Sequence, residues 1–451
     1  MTNGANSKKV LLLGAGMVTR PGVAYLLDQG CEVLVASRTV SKAEGLVAGH
    51  EHGSARAFNI DDLGELGRLV AASDLTVSLL PAPHHPTVAE ACIAAGKPLV
   101  TTSYVSAAME ALGPRAEEAG IGLLNEIGLD PGIDHMSAMK VIHAVQAEGG
   151  QVVSFRSYCG GLPAPEANNV PWGYKFSWSP RAVLTAGLNP ARYLMEGEIN
   201  DVPGSDLFLH HWPVDVPSVQ RFEGYPNRDS MGYVDTYGLQ GVHTMFRGTL
   251  RYPGWSACLK LVVDLGLLDQ TPRSDLEGQS HASLVASLVP GARPETLRGD
   301  IAARFGIPAD ADALERLAWA GFFSDEPVGD VPTLLDMVGA RLQDKLAFAE
   351  GERDMIVLHH EFVAEAAGGQ RRRIFSTLVD YGVPDGDSAM ARTVSLPCAV
   401  ATNLILEGKI DIKGLHIPVS PEIYAPVLTE LENLGITCKE TESPLSFGAG
   451  E

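Results

Sequence analysis

Short apolar runs alternate with longer stretches of helical spacing along the first third of the chain. The run at 10–13 ends at two glycines, and Val23, Leu26 and Leu27 then recur at the spacing of one buried helix face. This pattern predicts a strand, a tight loop and a helix. Further strands are predicted at 31–37, 56–60, 75–80, 99–102 and 121–126, and helices near 62–72, 86–95 and 106–119. Because strands alternate with helices, the pattern predicts a doubly wound parallel sheet.

The loop after the first strand has the composition of an anion-binding turn. Gly14 permits a turn in which a Cβ would clash, and Gly16 permits a ligand to approach the backbone closely. The helix that follows directs unpaired N–H groups toward an anion, which we expect to be a dinucleotide pyrophosphate. Thr19 stands where the usual fingerprint has a third glycine. The loop alone fits a plain strand–helix turn equally well, but the alternating strands and helices favour a cofactor.

The second strand ends at Ser37, Arg38 and Thr39, where an NAD-dependent enzyme carries an acidic residue for the ribose hydroxyls. An acidic side chain repels a 2′-phosphate, whereas a guanidinium and two hydroxyls bind one. The sequence therefore predicts NADP(H) rather than NAD(H). The alternative is a solvated loop arginine that binds no ligand.

The middle of the chain is predicted to begin a second domain. A turn rich in Pro, Gly and Asp at 128–135 marks the predicted boundary. A strand predicted at 151–158 leads into 159–166, where dense Gly and Pro predict a fixed irregular loop. Aromatic residues are most dense in the segment 171–179. The segments 225–230 and 246–252 place arginine among aromatic residues.

The later chain changes from helices back to strands. Residues 271–347 carry apolar residues at helical spacing and lack strand patterns, which predicts a small helical domain. Strands are expected again at 355–359 and 374–379, followed by a helix near 388–406.

Composition narrows the classes of function. A chain of 451 residues predicts two or three domains. The net charge of −21 argues against nucleic acid and anionic membranes as partners, and an anionic ligand then needs a locally basic pocket. We expect no membrane span and no secretory leader, because no run of about 18 apolar residues and no leader-like segment occurs. Six scattered cysteines without a Cys-x-x-Cys pair favour reduced thiols in a cytoplasm.

Histidine pairs at 84–85, 210–211 and 359–360 raise the question of a metal. None shows the i, i+4 helical spacing with a nearby acid that is typical of zinc sites, so no metal is expected. The chain also lacks a Gly-x-Ser-x-Gly motif, which argues against a serine hydrolase.

Seven ordered blocks carry a family resemblance. They are Gly-Ala-Gly-Met-Val-Thr-Arg-Pro at 14–21, Thr-Thr-Ser-Tyr-Val-Ser at 101–106, Asn-Glu-Ile-Gly-Leu-Asp-Pro-Gly-Ile-Asp-His at 125–135, Tyr-Cys-Gly-Gly-Leu-Pro-Ala-Pro-Glu at 158–166, Gly-Tyr-Lys-Phe-Ser-Trp-Ser at 173–179, Tyr-Pro-Asn-Arg-Asp-Ser at 225–230 and Arg-Gly-Thr-Leu-Arg-Tyr at 247–252. Together they resemble the saccharopine reductases, the NADP-dependent, glutamate-forming saccharopine dehydrogenases. The resemblance implies a homodimer with a variant Rossmann domain at 1–128 and 392–451, an α/β substrate-binding and dimerisation domain at 129–270 and 348–391, and an all-helical domain at 271–347.

The resemblance also implies a reaction. Hydride transfer at a secondary amine or imine carbon would interconvert saccharopine with L-glutamate and 2-aminoadipate 6-semialdehyde, a step of lysine and aminoadipate metabolism. Saccharopine is a tricarboxylate, so an acidic protein needs fixed cations to bind it. Arg228 and Arg251, each among aromatic residues, are the candidates. The alternative to substrate binding is that each arginine forms an ion pair within the sheet and has only a structural role.

Tyr104, Asp130 and Cys159 are the candidates for proton handling, from the resemblance and from their positions. A carboxylate beside the amine would stabilise the cation or accept its proton. Each residue also has a structural interpretation: Asp130 as a turn residue, Cys159 as an inert buried thiol and Tyr104 as a core aromatic. Water is a further candidate for the proton transfer.

Position and resemblance together give two sets of site residues. The predicted cofactor-binding residues are Gly14, Gly16, Met17, Val18, Ser37, Arg38, Thr39, Ile60, Ser78, Leu79, Leu80, Thr102, Ser103, Leu129, Asp130 and Pro131. The predicted substrate-binding residues are Ser103, Tyr104, Asp130, Cys159, Gly160, Phe176, Arg228, Thr249 and Arg251.

Two other functions share the cofactor half. One is a related dehydrogenase that reduces the imine of a carboxylated polyamine or an opine-like substrate. The other is a protein that senses NADP(H) without turnover. The arginines of the second half argue against the sensor, because a sensor does not need them.

Overall fold

The structure, a computed structural model, describes residues 7–445. The chain forms two compact units. Unit 1 contains residues 7–151, 365–370 and 378–442, and unit 2 contains residues 152–364, 371–377 and 443–445.

Strands and helices alternate up to residue 124, as predicted, and a further helix follows. The strands are β1 (Lys9–Leu13), β2 (Glu32–Ser37), β3 (Gly53–Ala57), β4 (Leu75–Ser78), β5 (Leu99–Thr101) and β6 (Gly122–Leu124). The helices are α1 (Arg20–Asp28), α2 (Val40–Val47), α3 (Leu63–Ala71), α4 (His85–Ala95), α5 (Ala107–Glu110), α6 (Gly113–Glu118) and α7 (Ile133–Ala147). Three predictions need correction: β3 lies three residues before the predicted strand, the helix predicted at 106–119 is two short helices, and α2 was not predicted.

Later strands are β7 (Gln151–Pro163), β8 (Ala191–Met195), β9 (Glu198–Val202), β10 (Trp212–Val216), β11 (Gln220–Pro226), β12 (Thr244–Arg251), β13 (Asp354–Glu365), β14 (Arg371–Tyr381), β15 (Gly414–His416) and β16 (Lys439–Pro444). Later helices are α8 (Pro180–Ala186), α9 (Gly232–Thr236), α10 (Trp255–Asp264), α11 (His281–Ser287), α12 (Leu297–Phe305), α13 (Asp312–Ala320), α14 (Leu334–Lys345), α15 (Ala389–Leu406) and α16 (Pro421–Asn433).

The loop predicted at 159–166 is wrong as far as Pro163, because β7 continues to that residue. Gly160 serves strand packing rather than a turn. A Cβ at Gly160 would lie 2.7 Å from the carbonyl oxygen of Leu250 on the neighbouring strand β12.

Unit 1 is built on a seven-stranded parallel sheet with the order β15-β6-β5-β4-β1-β2-β3. β15 pairs with β6, so a segment from the C-terminal part of the chain returns to this sheet, as the resemblance implied. Strand order reverses between β1 and β4. In a sheet of this kind, ligands bind beyond the carboxyl ends of the strands at that reversal.

Helix α15 is an apolar, largely buried helix of unit 1. It packs against α1 and α16. Within residues 7–445 it is the one helix long and apolar enough to cross a membrane, and 78% of it is buried. Packing inside unit 1 therefore accounts for its apolar composition.

Unit 2 is built on a mixed sheet whose strands follow the order β10-β11-β12-β7-β13-β14. β12 is parallel to β7 and antiparallel to β11. Residues 271–347 form helices α11–α14, as predicted, and lie within unit 2. Residues 129–151 and 378–391 belong to unit 1, whereas we predicted them in the substrate-binding domain. The boundaries of three separate domains stay a prediction.

Candidate active site

The glycine loop of unit 1 leaves room beside its backbone. Gly14 has φ +112°, and a Cβ there would lie 2.9 Å from the carbonyl oxygen of Leu79. Gly16 is exposed, and a Cβ there would meet nothing within 4 Å. Met17 is exposed and Val18 is half-buried. A ligand can therefore approach Gly16, whereas Gly14 is needed for contact between the ends of β1 and β4.

Thr19 takes part in closing the loop although it is not the usual glycine. Its fully buried hydroxyl accepts a hydrogen bond from the Gly16 N–H at 3.1 Å. Gly22, three residues on, allows close helix packing. A Cβ at Gly22 would lie 3.0 Å from the carbonyl oxygen of Ser395, and its N–H donates to the Ser395 hydroxyl at 3.0 Å.

Ser37, Arg38 and Thr39 connect the carboxyl end of β2 to α2. Arg38 is exposed, and within residues 7–445 it has no ion-pair or hydrogen-bond partner. Thr39 precedes α2 without a capping hydrogen bond from its hydroxyl. The guanidinium and this hydroxyl are therefore available to a phosphate. Ile60, after β3, is half-buried against the core and offers an apolar surface.

A buried histidine joins the ends of β4 and β5, where Leu79, Leu80 and Thr102 are half-buried. Nδ1 of His85 lies 3.0 Å from the Ser78 hydroxyl, and Nε2 lies 2.8 Å from the Ser103 hydroxyl and 3.2 Å from that of Thr101. Burial lowers the pKa of His85 to about 4, so its ring is neutral near pH 7. His85 was not predicted to belong to this site, because its sequence pattern was considered only for metal binding.

Acid is expected to destabilise the fold through His85. The unfolded imidazole titrates near its ordinary pKa, whereas the folded one titrates near 4, so the unfolded state binds more protons between these values. Stability should then fall by up to ~3 kcal/mol between about pH 6.5 and 4. Melting temperatures of the wild type and of His85→Gln, measured at pH 7 and at pH 4, test this. The variant should lose less on acidification, and equal losses would contradict the assignment. Replacement of the exposed His243 by Gln is the control.

Tyr104 and Asp130 meet beyond the ends of β5 and β6. The Tyr104 hydroxyl donates to Oδ1 of Asp130 at 2.9 Å, and both residues are half-buried. Leu129 and Pro131 on either side are buried, and the Asp130–Pro131 peptide is cis. Tyr104 is therefore bonded to a carboxylate rather than being a core aromatic alone.

The predicted residues of unit 2 fall on two neighbouring strands and two loops. Cys159 is buried on β7 directly beside Thr249 of β12. Phe176 is buried with its ring edge-on to that of Tyr174. Arg228 is exposed in a loop with φ +59°.

Arg251 is a buried cation at the end of β12. It is 6% exposed, and its guanidinium lies 4.9 Å from the ring centre of Tyr174 and 5.5 Å from that of Trp255. Nη1 donates to the carbonyl of Leu250 at 2.7 Å, whereas Nε has no hydrogen-bond partner. Across residues 7–445 no carboxylate lies within ion-pair distance of this side chain.

Glu223 lies opposite Arg251 on β11, but its carboxylate is already engaged. Its two oxygens accept hydrogen bonds from the N–H groups of Gly254 at 2.8 Å and Ser256 at 2.5 Å, at the start of α10. The helix N-terminus therefore satisfies this acid, and Arg251 remains available for an anion.

These features define an oxidoreductase with a dinucleotide-binding sheet, and comparison with known families gives the same class. Residues 10–124 match the saccharopine dehydrogenase NADP binding domain, and residues 128–436 match the saccharopine dehydrogenase C-terminal domain. The chain therefore belongs to the saccharopine dehydrogenase family. The predicted family, the α/β fold with its parallel cofactor sheet, the NADP cofactor and the dehydrogenase class are confirmed.

Individual relatives match nearly the whole length of this chain. The chain is 40% identical over 445 residues to saccharopine dehydrogenase [NADP(+), L-glutamate-forming] of Pyricularia oryzae, covering 96% of this chain and 99% of that one. It is 39% identical to the mitochondrial alpha-aminoadipic semialdehyde synthase of Bos taurus, of which it covers 47%. The solved structure of apo saccharopine dehydrogenase (L-Glu forming) from Saccharomyces cerevisiae has a TM-score of 0.90 at 39% identity, covering 97% of this chain and 100% of that one. The roles of individual site residues stay predictions.

Proposed function

We propose that this protein is an NADP(H)-dependent saccharopine dehydrogenase that interconverts saccharopine with L-glutamate and 2-aminoadipate 6-semialdehyde in lysine biosynthesis. The observation that carries the proposal is Arg251, a buried guanidinium with no carboxylate partner in residues 7–445, in a chain that aligns with L-glutamate-forming relatives over 96% of its length. A buried unpaired charge is costly, so an anionic ligand is the natural complement.

Unit 1 supplies the cofactor contacts in this proposal. The open backbone at Gly16 and the start of α1 bind the pyrophosphate, and Arg38 with its neighbouring hydroxyls binds the 2′-phosphate. Hydride exchange with the substrate carbon is the chemistry that a bound nicotinamide would supply. The protein contributes binding, orientation and proton handling.

Unit 2 supplies the cations for the carboxylates. Arg251 is held in place by two aromatic rings and a backbone carbonyl, so little side-chain entropy is lost on binding. The exposed Arg228 offers a second cation in the proposal. Phe176, Gly160 and Thr249 are proposed to shape the surface between these groups.

Asp130 is the proposed proton acceptor. In the oxidative direction the secondary amine must lose a proton as its C–N bond becomes an imine, and water then adds to release glutamate and the semialdehyde. Asp130 is bonded to the Tyr104 hydroxyl, which fixes one carboxylate oxygen and leaves the carboxylate oriented. Cys159, buried beside Thr249, is the third candidate for proton handling, after Asp130 and Tyr104.

Absorbance at 340 nm tests the proposal directly. The purified full chain with NADP⁺ and saccharopine should produce NADPH, and glutamate should appear in equal amount. Turnover only with polyamine or opine-like conjugates would favour the related dehydrogenase. Cofactor binding without turnover on any substrate would favour the sensor. The predicted homodimer and cytoplasmic location stay predictions, and light scattering of the purified chain tests the first.

A further inference from the structure

We propose that Glu126 and His135 are positioning residues that hold the Tyr104 hydroxyl against Asp130. The proposal rests on the proposed function, in which these two side chains handle protons. Glu126 follows β6, and His135 lies in the first turn of α7.

Glu126 holds the backbone on both sides of Tyr104. Its N–H donates to the carbonyl of Ser103 at 3.2 Å. Its Oε1 accepts a hydrogen bond from the Val105 N–H at 2.8 Å. A rotation of the Tyr104 backbone would break one or both of these bonds. Glu126 therefore sets the direction in which the tyrosine side chain projects from the backbone.

His135 connects the same carboxylate to the segment that carries Asp130. Its Nε2 lies 2.8 Å from the second oxygen of Glu126, and its side chain is fully buried in the first turn of α7. The start of α7 is bonded back to the turn, because the Ile133 N–H donates to the carbonyl of Gly128 and the Asp134 N–H to that of Leu129. Asp130 is therefore fixed relative to His135.

The contacts form a closed ring. Glu126 fixes Tyr104 on one side and, through His135 and the start of α7, fixes Asp130 on the other. The 2.9 Å bond from the Tyr104 hydroxyl to Asp130 closes the ring. Each of the two proton-handling groups thus takes its position from the same buried carboxylate.

The conformation of Glu126 is itself unfavourable. Its φ is +59°, in the left-handed region that residues other than glycine, asparagine and aspartate seldom adopt. Only 5% of the residue is exposed. A buried acid in this conformation costs free energy that a merely packed apolar residue would not. Such a cost at a position beside reacting groups is typical of preorganisation.

A double-mutant cycle separates positioning from plain structural support. Glu126→Gln should lower kcat for saccharopine oxidation about tenfold, because an amide cannot accept from both Val105 and His135. The KM for NADP⁺ should change less than about twofold. In a Tyr104→Phe background the same substitution should cost less than about threefold, because the geometry that it protects is already lost.

Asp380→Asn is the matched control. Asp380 is also a buried carboxylate of unit 1 and bonds Arg392 at 3.0 Å. The change of charge and shape is the same, and kcat should stay within about twofold of the wild type. If Glu126→Gln fails to fold, His135→Gln breaks the pair from the other side and enters the same cycle.

The outcomes are distinguishable from failure of the proposed function, which would show as a wild type inactive on saccharopine. With an active wild type, an unchanged kcat in Glu126→Gln would overturn the inference. Losses of kcat that multiply in the Glu126→Gln/Tyr104→Phe double variant would also overturn it. Loss of fold in both Glu126→Gln and His135→Gln would do the same, since the pair would then be structural only.

Discussion

Replacement of Arg251 by Met is expected to lower kcat/KM for saccharopine by about 10²- to 10³-fold, since losing one partner of a buried charge pair costs about 2–5 kcal/mol. The substrate carboxylate would be left desolvated against the rings of Tyr174 and Trp255 without a cation. Steady-state kinetics with varied saccharopine measure the loss, and most of it should appear in KM. The melting temperature should not fall, because the ligand-free protein loses a buried charge that has no carboxylate partner in residues 7–445.

Arg221→Met is the matched control for this prediction. Arg221 lies on β11 beside β12, but it is exposed and bonded to Asp215 at 2.7 and 2.8 Å. An exposed pair of this kind contributes little, so kcat/KM should change less than about twofold. A KM for saccharopine that Arg251→Met leaves unchanged would show that the guanidinium does not bind substrate.

The parallel sheet of unit 1 could be predicted because its signals are local. An apolar run such as 10–13, followed directly by two glycines, is typical of a buried strand and a tight turn. Gly14 confirms the argument in detail, since its φ of +112° and its contact with Leu79 both exclude a Cβ. The ends of the elements were less predictable, because they depend on which residues of neighbouring strands are paired.

The departures from prediction come from contacts between residues distant in sequence. Thr19 replaces a glycine because close packing occurs at Gly22 instead, and its partner Ser395 lies on α15. Gly160 suggested a loop, but the glycine accommodates Leu250 of β12. In both cases the sequence shows that a small residue is present without showing which neighbour requires it.

The candidate site was predictable where residue type alone carries the chemistry. An arginine among aromatic residues indicated Arg251 as a candidate, and the absence of an acid indicated Arg38 as the candidate for phosphate binding. The supporting residues His85, Glu126 and His135 were not predicted to be part of it. Their importance lies in hydrogen bonds that link separate strand ends, such as His85 with Ser103, and no spacing in the sequence reports those bonds.

Arg38→Asp is expected to reverse the cofactor preference, changing the ratio of kcat/KM for NADPH to that for NADH by about 10²- to 10³-fold. Charge-assisted hydrogen bonds to the 2′-phosphate are each worth about 1.5–3 kcal/mol, and an aspartate adds repulsion where the guanidinium stood. For NADH the carboxylate instead accepts hydrogen bonds from the ribose hydroxyls. Arg38 has no partner among residues 7–445, so the substitution breaks no internal ion pair and the fold should be retained.

Arg115→Asp gives the same change of net charge elsewhere in unit 1. Arg115 lies on α6, where it is exposed and 3.5 Å from Glu90, away from the carboxyl end of β2. Its effect on the cofactor ratio should stay below about twofold, because charges on an exposed surface are screened within about 10 Å at 0.1 M salt. The Arg38→Asp effect should also weaken as salt rises. If the ratio of kcat/KM in Arg38→Asp equals that of the wild type, the 2′-phosphate lies elsewhere, and the partnerless guanidinium is a solvated loop residue after all.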